Sequence, residues 1–186
     1  MIIIFGGSFN PPHIAHKIIA EFAYDKFKPD KFLILPASIP PHKESNSIAS
    51  FQKRFDMCKK TFKSKYFEVS DLENKLKKPS YTVRTLDYLK DFDTNLNLLI
   101  GEDSYMNFDK WFEYEKILSF SKLIVYPRFF DRRGFKHKNF EHIELSSPII
   151  DISSSMIRKR IKEKKSIKGL ISDDIYNITI NTYKIK

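Results

Sequence analysis

Hydrophobic and polar positions along the chain predict strands and helices that follow one another in turn. Short unbroken apolar runs, rich in β-branched and aromatic residues, are typical of strands buried on both faces of a parallel sheet. They predict strands at residues 2–5, 31–36, 66–69, 96–100 and 122–126. Helical segments are predicted at residues 12–26, 49–62, 80–92 and 111–118, and a later helix begins in the serines at 153–155. This alternation favours an α/β fold with a mainly parallel sheet.

The remaining segments carry weaker signals. Residues 128–142 are basic, contain Gly134 and lack periodicity, which predicts a surface loop. Residues 149–152 are expected to form a strand or an extended approach to the next helix, and the tail from about Asp173 is weakly helical. No internal repeat or low-complexity linker divides the chain. Its 186 residues suit one domain with a substantial core, so we expect a single domain over residues 1–186.

The opening of the chain combines a buried strand, a glycine turn and a helix start. Gly6 and Gly7 end the strand and allow the backbone to approach a ligand closely. Asn10, followed by two prolines, predicts the N-cap and first turn of a helix. The N–H groups at such a helix start favour anions, and His13 and His16, three positions apart, share one helix face. This combination predicts a site for a nucleotide phosphate.

Each part of this run also has a simpler interpretation. A Gly-Gly pair often makes only a tight turn, and two histidines at this spacing could bind a metal or lie at the surface. A metal site is disfavoured because no glutamate stands between the histidines and no third ligand follows at helical spacing. Neither of the glycine-rich phosphate motifs with a fixed formula is present. The joint arrangement is more specific than its parts and favours phosphate.

Two further segments supply candidate phosphate ligands. His42 and Lys43 follow two prolines in a stiff loop just after a predicted strand, which suits a phosphate clamp or a rigid surface turn. The serines at 153–155 open a helix with Arg158 one turn later. Such a helix start can hold a polyphosphate, and the plain alternative is a serine cap with a solvated arginine.

Two other segments point to the rest of a nucleotide substrate. Residues 80–86 begin a predicted helix whose N–H groups could receive an acidic group, although an ordinary N-cap explains them as well. Gly101 and Asp103 follow a strand at the position where open α/β sheets hold sugar hydroxyls. Trp111 and Phe112 could stack on an aromatic ring or belong to the core.

Composition and charge restrict the class of protein. The formal net charge is +10, but the strongest basic cluster, residues 158–165, lacks the interleaved aromatic residues that single-strand binders use. We therefore expect no nucleic-acid partner. The single cysteine, Cys58, forms no internal disulfide, fits a reducing compartment and is predicted to be a packed helix residue. No apolar stretch reaches membrane-spanning length, so we expect a cytoplasmic protein without a membrane partner. A homo-oligomer stays open.

Taken together, these motifs resemble those of bacterial nicotinate mononucleotide adenylyltransferases, members of the nucleotidylyltransferase superfamily. The resemblance covers nearly the whole chain. The first and last motifs mark the superfamily, and the middle three narrow it to this family. The matching motifs are Gly6-Gly7-Ser8-Phe9-Asn10-Pro11-x-His13-x-x-His16, Pro40-Pro41-His42-Lys43, Ser80-Tyr81-Thr82-x-x-Thr85-Leu86, Gly101-x-Asp103 with Trp111, and Ile152-Ser153-Ser154-Ser155-x-Ile157-Arg158.

Two positions depart from the family pattern. Ala15 stands where the family usually has glycine between the histidines, and it could crowd the adenosine pocket slightly. After the strand at Val125, the sequence Tyr126-Pro127-Arg128 replaces the usual arginine-proline-glycine turn. The role of the loop that follows is therefore left open.

The resemblance implies a Rossmann-like, doubly wound nucleotidyltransferase fold with a small C-terminal helical part. It implies transfer of the adenylyl group of ATP to nicotinate mononucleotide, with Mg²⁺ bridged by phosphates and water rather than by a protein metal site. The mononucleotide phosphate attacks the α-phosphorus directly, so catalysis is positioning and charge stabilisation. His16 is the main expected donor to the α-phosphate, with His13, Lys43 and Arg158 as further catalytic groups.

The resemblance also divides the candidate residues between the two substrates. ATP is expected to bind Gly6, Gly7, Ser8, Phe9, His13, His16, Ser153, Ser154, Ser155 and Arg158. Nicotinate mononucleotide is expected to bind His42, Lys43, Tyr81, Thr82, Gly101, Asp103, Trp111 and Phe112. The alternatives are a phosphopantetheine or nicotinamide mononucleotide adenylyltransferase and, from another class, a basic nucleic-acid-binding module. A class I aminoacyl-tRNA synthetase shares a histidine pair, but this chain is too short for tRNA-binding parts.

Overall fold

A six-stranded parallel sheet forms the centre of the protein. The computed structural model describes residues 1–40, 48–128 and 139–184. The strands are β1 (Ile2–Gly7), β2 (Lys31–Pro36), β3 (Phe67–Val69), β4 (Leu96–Gly101), β5 (Ser121–Tyr126) and β6 (His142–Glu144). Their order in the sheet is β3-β2-β1-β4-β5-β6, and each of the five pairings is parallel. This is the strand order of a doubly wound Rossmann-like sheet, and it confirms the predicted fold class.

Helices connect the strands and extend beyond the sheet. They are α1 (Ile14–Phe27), α2 (Phe51–Thr61), α3 (Leu72–Lys75), α4 (Thr82–Leu89), α5 (Glu102–Tyr105), α6 (Tyr114–Phe120), α7 (Ser154–Lys162) and α8 (Tyr176–Tyr183). Among the described residues, two 3₁₀ turns span Phe108–Lys110 and Asp173–Ile175. In the part of the chain that the structure describes, no helix is long and apolar enough to cross a membrane.

The apolar runs that predicted the strands fill two cores, one on each face of the sheet. Successive residues of a strand point to opposite faces, so Ile3 and Phe5 pack with α1 and α2. Ile2 and Ile4 pack on the other face with α4 and α6. Burial on both faces explains why β1 is a continuous apolar run rather than an alternating one.

The C-terminal helices form a third cluster beside the sheet. Ile157 and Ile161 of α7 pack with Met57 of α2 and with Ile175. All four side chains are at least nine-tenths buried. This cluster is the predicted small helical part, and it brings the start of α7 close to the glycine turn after β1.

Helix α1 begins later than predicted and has a different cap. It starts at Ile14, and His13 rather than Asn10 is the N-cap residue. The Asn10 side chain faces the other way, where its Oδ1 accepts hydrogen bonds from the Ala49 N–H (3.0 Å) and the Tyr183 hydroxyl (2.6 Å). A tertiary pair of donors therefore outcompetes the local capping role that the sequence favours.

Helix α4 is also shorter than predicted, because Ser80 is not its cap. The helix spans Thr82–Leu89 and Tyr81 takes the N-cap position. The Ser80 hydroxyl instead accepts hydrogen bonds from the backbone N–H groups of Ser38 (2.9 Å) and Ile39 (3.3 Å). A helix cap would need the same Ser80 Oγ as acceptor, and in this protein that oxygen binds the loop after β2 instead.

Two other predictions need correction. The helix predicted at 111–118 is α6, which begins only at Tyr114. The sixth strand begins at His142, inside the segment predicted as a loop, whereas residues 149–152 form neither strand nor helix and lead to α7, one of the two forms expected for them. Phe140 of that segment packs edge-on against Tyr105 and Phe108. This apolar contact holds the end of the segment against the core, where a surface loop was predicted. The larger part of the segment lies outside the described residues.

Candidate active site

A cavity of about 260 Å³ opens at the carboxyl ends of β1 and β4. These two strands are neighbours in the sheet, and the chain runs outward from them in opposite directions. Open α/β sheets bind ligands in the crevice at this reversal point. Gly6, Gly7 and Ser8 line one side of the cavity, and Tyr81, Thr82, Trp111 and Phe112 line the other. The structure therefore brings part of each predicted group together here, whereas His13 and His16 line a separate, smaller cavity.

The glycine turn is held by a strained residue that belongs to the core. Phe9 has a φ of 43°, in the left-handed region that a bulky side chain rarely adopts. Its ring is 2% exposed and packs edge-on against Phe5 and Phe62. A Cβ on Gly7 would lie 3.3 Å from this ring. Phe9 can therefore reach a nucleotide only through its backbone, which turns sharply directly after the cavity-lining residues Gly7 and Ser8.

The two histidines at the start of α1 stack on each other. Their ring centroids are 3.6 Å apart, and the backbone N–H of His13 donates to Nδ1 of the His16 ring at 3.2 Å. Because Nδ1 of His16 is an acceptor, the proton of its neutral ring lies on Nε2, which makes Nε2 a hydrogen-bond donor. Within the described part of the chain, the buried Nδ1 of His13 has no hydrogen-bond partner.

Burial and a nearby cation keep His13 neutral. Its side chain is 4% exposed, and desolvation together with the Arg128 guanidinium lowers its pKa from 6.5 to about 3. At neutral pH, His13 therefore offers a phosphate a hydrogen bond rather than a positive charge. The positive charge beside it comes from Arg128.

Arg128 is not among the predicted site residues, although its place directly after a predicted strand is a signal that could have found it. With His13, Ala15 and His16 it lines a small cavity of about 20 Å³. Its Nη1 lies 3.6 Å from Asp103 Oδ2. A guanidinium at this point adds a fixed cation to the anion-binding side of the site.

Gly101 is required for the approach of Arg128 to Asp103. A Cβ at this position would lie 2.6 Å from Asp103 Oδ1 and 2.8 Å from Arg128 Cδ. Both distances are below normal van der Waals contact. Gly101 therefore lets two charged side chains meet over the end of β4.

The start of α7 contacts the turn after β1. The Ser154 hydroxyl donates to the Pro11 carbonyl oxygen at 2.8 Å, and Arg158 Nη1 donates to the Asn10 carbonyl oxygen at 2.7 Å. Ser153 caps α7, as predicted, by accepting from the Met156 N–H. Arg158 Nη2 also donates to the Ser155 hydroxyl at 3.2 Å. These contacts place the predicted serines and arginine beside the turn, where some of their hydrogen bonds hold the backbone itself.

Aromatic rings form the opposite side of the cavity. Phe112 stacks on Tyr81 with ring centroids 4.5 Å apart, and the Arg84 guanidinium lies 4.9 Å from the Tyr81 centroid. Trp111 packs against Phe108 of the core and lines the cavity. Thr82 opens α4 next to these rings, so backbone N–H groups and aromatic faces meet there.

Glu73 is a buried carboxyl group that sequence reasoning missed. It is 8% exposed and lines the cavity, and the Thr85 hydroxyl donates to its Oε1 at 3.0 Å. Within the described residues its Oε2 has no hydrogen-bond partner. Burial raises the pKa of this carboxyl group. The local pattern resembles that of a solvated glutamate, so the sequence carries no signal for its burial.

Two predicted residues lie outside the description. His42 and Lys43 fall in the segment between residues 40 and 48, which the structure does not describe. Pro40, just before this segment, lines the cavity. Among the described residues, no group of three or more His, Cys, Asp or Glu side chains could hold a metal ion.

Comparison with known proteins identifies the family. The model of the cytidylyltransferase-like family matches residues 4–160. A protein of Pseudothermotoga lettingae named "probable nicotinate-nucleotide adenylyltransferase" is 40% identical over 190 residues, covering 98% of this chain and 96% of the relative. One of the same name from Fervidobacterium nodosum is 39% identical, covering 97% of this chain and 89% of the relative. The chain is a member of the nicotinate-nucleotide adenylyltransferase family.

Solved structures confirm the fold of this nicotinate-nucleotide adenylyltransferase family member. The Plasmodium falciparum nicotinic acid mononucleotide adenylyltransferase complexed with NaAD matches with a TM-score of 0.78, at 20% identity over 100% of this chain and 98% of that chain. The same enzyme complexed with APC matches with a TM-score of 0.77 at 19% identity.

The departure from the family pattern at Ala15 lies in the first turn of α1, where the side chain is buried.

Proposed function

We propose that the chain transfers the adenylyl group of ATP to nicotinate mononucleotide, giving nicotinate adenine dinucleotide and pyrophosphate in NAD biosynthesis. One observation carries the proposal. The glycine turn and a set of aromatic rings line one cavity, and the histidine pair and Arg128, which contacts Asp103 beside the end of β4, line a smaller cavity at the same carboxyl edge of the sheet. A phosphate-bearing nucleotide with a planar ring matches both halves. The family relationship supports the same reaction.

The chemistry requires alignment rather than an enzyme nucleophile. A phosphate oxygen of the mononucleotide attacks the α-phosphorus of ATP, a new P–O bond forms, and the bond to the pyrophosphate oxygen breaks. Negative charge gathers on the equatorial oxygens in the transition state. We assign the main donor role to His16 Nε2, with His13 beside it as a neutral donor. Arg128, Arg158 and Lys43 supply the positive charge that offsets the triphosphate.

The ATP side of the proposal rests on the turn after β1 and on two helix starts. Backbone N–H groups at Gly6, Gly7 and Ser8 can approach phosphate oxygens closely because the glycines carry no Cβ. The start of α7 lies against the same turn through Ser154 and Arg158. Mg²⁺ accompanies the triphosphate in this proposal. It prefers phosphate oxygens and water to an all-protein cage, and few carboxylates stand near the turn.

The mononucleotide side rests on the aromatic half of the cavity. The pyridine ring stacks on Trp111, and its carboxylate accepts hydrogen bonds from N–H groups at Thr82 and Phe112. We assign the ribose to Gly101 and Asp103, and the phosphate to His42 and Lys43, which lie outside the described residues. A nicotinamide has one acceptor oxygen in place of two, so its NH₂ group would face the second of these donors and leave it unpaired. Mismatched polar burial of this kind discriminates by about 10⁴-fold.

A pyrophosphate-release assay tests the proposal. The enzyme is incubated with ATP and, in separate reactions, nicotinate mononucleotide, nicotinamide mononucleotide or phosphopantetheine, and the products are identified by mass. We expect turnover with the acid and a kcat/KM at least about 10³-fold lower with the amide. Equal values would show that the ring pocket is misassigned. Turnover with phosphopantetheine alone would replace the proposed substrate, and salt-sensitive nucleic-acid binding without turnover would replace the enzyme class.

A further inference from the structure

Arg54 of α2 lies between loops that border the cavity. Its side chain is 1% exposed. Its guanidinium donates to the carbonyl oxygens of Ser8, Ala37 and Ser38 at 2.8, 2.7 and 3.0 Å. Its Nε donates to the Ala49 carbonyl oxygen at 2.8 Å. Arg54 is thus a buried cation that is solvated by peptide carbonyl groups from three separate segments of the chain.

Ser80 holds the same loop from the opposite side. Its Oγ accepts from the N–H groups of Ser38 at 2.9 Å and Ile39 at 3.3 Å. These N–H groups belong to the peptide units whose carbonyl groups bind Arg54, namely Ala37–Ser38 and Ser38–Ile39. In a trans peptide the carbonyl and the N–H point in opposite directions. Two consecutive peptides are therefore gripped at both ends, by Arg54 on one side and by Ser80 on the other.

The hydrogen bonds of Arg54 and Ser80 to this loop connect the two halves of the cavity. Ser8 belongs to the glycine turn that borders the phosphate edge, and Ser80 directly precedes Tyr81 and Thr82 of the aromatic half. The doubly held loop after β2 lies between them. A displacement of this loop would therefore shift the aromatic half relative to the glycine turn.

We propose that Arg54 and Ser80 form a clamp that sets the distance and orientation between the two substrates. Both are positioning residues in this proposal, which rests on the adenylyl transfer proposed above. In-line attack requires the acceptor phosphate and the α-phosphorus to be held at a reactive separation, and a shift of about 1 Å can cost about 10²-fold in rate. The clamp acts on that separation, whereas each substrate binds mainly through groups in its own half.

The clamp predicts a specific kinetic pattern that a purely structural role would not produce. Arg54→Lys keeps the charge but cannot reach three carbonyl groups in a planar fork. In folded enzyme we expect kcat to fall about 10–100-fold, while the separate affinities for ATP and nicotinate mononucleotide change less than about threefold. The sole tryptophan, Trp111, lines the cavity and reports mononucleotide binding by fluorescence quenching without turnover.

Ser80 supplies an independent test on the other side of the loop. Ser80→Ala removes the acceptor, and Ser80→Thr keeps the oxygen. We expect a kcat loss of about tenfold for alanine and recovery to within about threefold of wild type for threonine. Because both residues hold the same two peptides, the double variant with Arg54→Lys should be no slower than the slower single variant. Arg160→Lys is the matched control, since Arg160 binds the Ser166 carbonyl outside the cavity and should leave kcat unchanged.

Three results would overturn the clamp. These are a kcat within threefold of wild type in folded Arg54→Lys, independent losses that multiply in the double variant, or equal losses in Ser80→Ala and Ser80→Thr. If Arg54→Lys does not fold, the two Ser80 variants decide the matter alone. The proposed function fails differently, because wild-type enzyme then shows no adenylyl transfer to the mononucleotide. Failure of the clamp leaves adenylyl transfer by the wild-type enzyme intact.

Discussion

The two histidines at the start of α1 differ in how their rings are held and in what determines their protonation. Nδ1 of His16 accepts a hydrogen bond from the backbone N–H of His13, so the His16 ring donates from Nε2. His13 is buried against it and stays neutral because desolvation and Arg128 disfavour the imidazolium. The pair therefore supplies directed hydrogen bonds, and the charge comes from arginine.

At this scale, His16→Ala is expected to reduce kcat about 10²–10³-fold, because a donor to the charge-bearing phosphoryl oxygen is lost. Steady-state kinetics and circular dichroism, which checks the fold, measure this. His142→Ala is the matched control, since His142 lies on β6 rather than in the cavity. A loss below threefold in His16→Ala would remove the residue from this role.

The low pKa of His13 predicts a dependence of stability on pH. The folded group titrates at about 3 and the unfolded group at 6.5, so the unfolded chain binds more protons between these values. The contribution of His13 is present above pH 6.5 and is lost as the pH falls toward 3. Between pH 7 and 5 it should fall by about 2 kcal/mol.

Urea unfolding of wild type and His13→Asn at both pH values isolates this contribution. Asparagine is favoured at the N-cap position that His13 occupies but does not titrate. The free energy of unfolding of wild type relative to the variant should therefore decrease on acidification. A difference that stays constant from pH 7 to pH 5 would contradict a buried, neutral His13.

At the scale of elements, the ends of parallel strands bring the site together. β1 ends in the glycine turn, β4 in Gly101 and β5 just before Arg128. Since the six strands are parallel, these ends lie on one edge of the sheet. Helix starts at α1, α4 and α7 lie near the same edge, so their N–H groups and dipoles add to the attraction for anions.

Gly101→Ala tests how tightly this edge is packed. The new Cβ would meet Asp103 and Arg128 at distances that force both side chains to move. We expect kcat/KM for the mononucleotide to fall about tenfold, because a small displacement of binding groups impairs alignment. Lys122→Ala, at an exposed position of neighbouring β5, should leave the kinetics unchanged. Unchanged kinetics in Gly101→Ala would mean that the Asp103–Arg128 contact is dispensable.

At the scale of the whole molecule, the C-terminal helices close over the turn after β1. Tyr183 of α8 donates to Asn10 Oδ1, while Ser154 and Arg158 of α7 bind the adjacent carbonyl groups. The isoleucine cluster with α2 holds these helices in place. The last fifth of the chain thus completes a site whose motif stands in the first residues.

Tyr183→Phe tests this connection. Loss of one partly buried hydrogen bond should lower the free energy of unfolding by about 1 kcal/mol and Tm by about 2–4 °C. We also expect a higher KM for ATP, because the turn at Asn10 loses one of its supports. Tyr176→Phe, in the same helix, is the control for removing a hydroxyl group. Equal effects of both substitutions would show that Tyr183 has no special connection to the turn.

The sequence alone determined the first five strands, the glycine turn and the family, but not β6. A strand buried on both faces needs a continuous apolar run, so β2 was predicted with its observed ends, and glycine is demanded wherever a Cβ would obstruct. The histidine pair was also visible from its spacing at a predicted helix start, and the structure stacks the two rings with His13 at the N-cap rather than within the helix. Such signals are local, and they survive in any fold that contains the segment.

Only the tertiary structure decided which side chains serve the backbone and which face the cavity. Asn10 and Ser80 were predicted to cap helices, but their side-chain oxygens accept hydrogen bonds from backbone N–H groups 39 and 42 residues away. No pattern in the sequence distinguishes Arg54 and Glu73 from solvated charges, and both are buried where segments distant in sequence meet. Hydrogen-bond partners of this kind depend on how loops approach one another in space. Periodicity and composition do not encode that approach, so the clamp and the cation beside His13 emerge only from the folded chain.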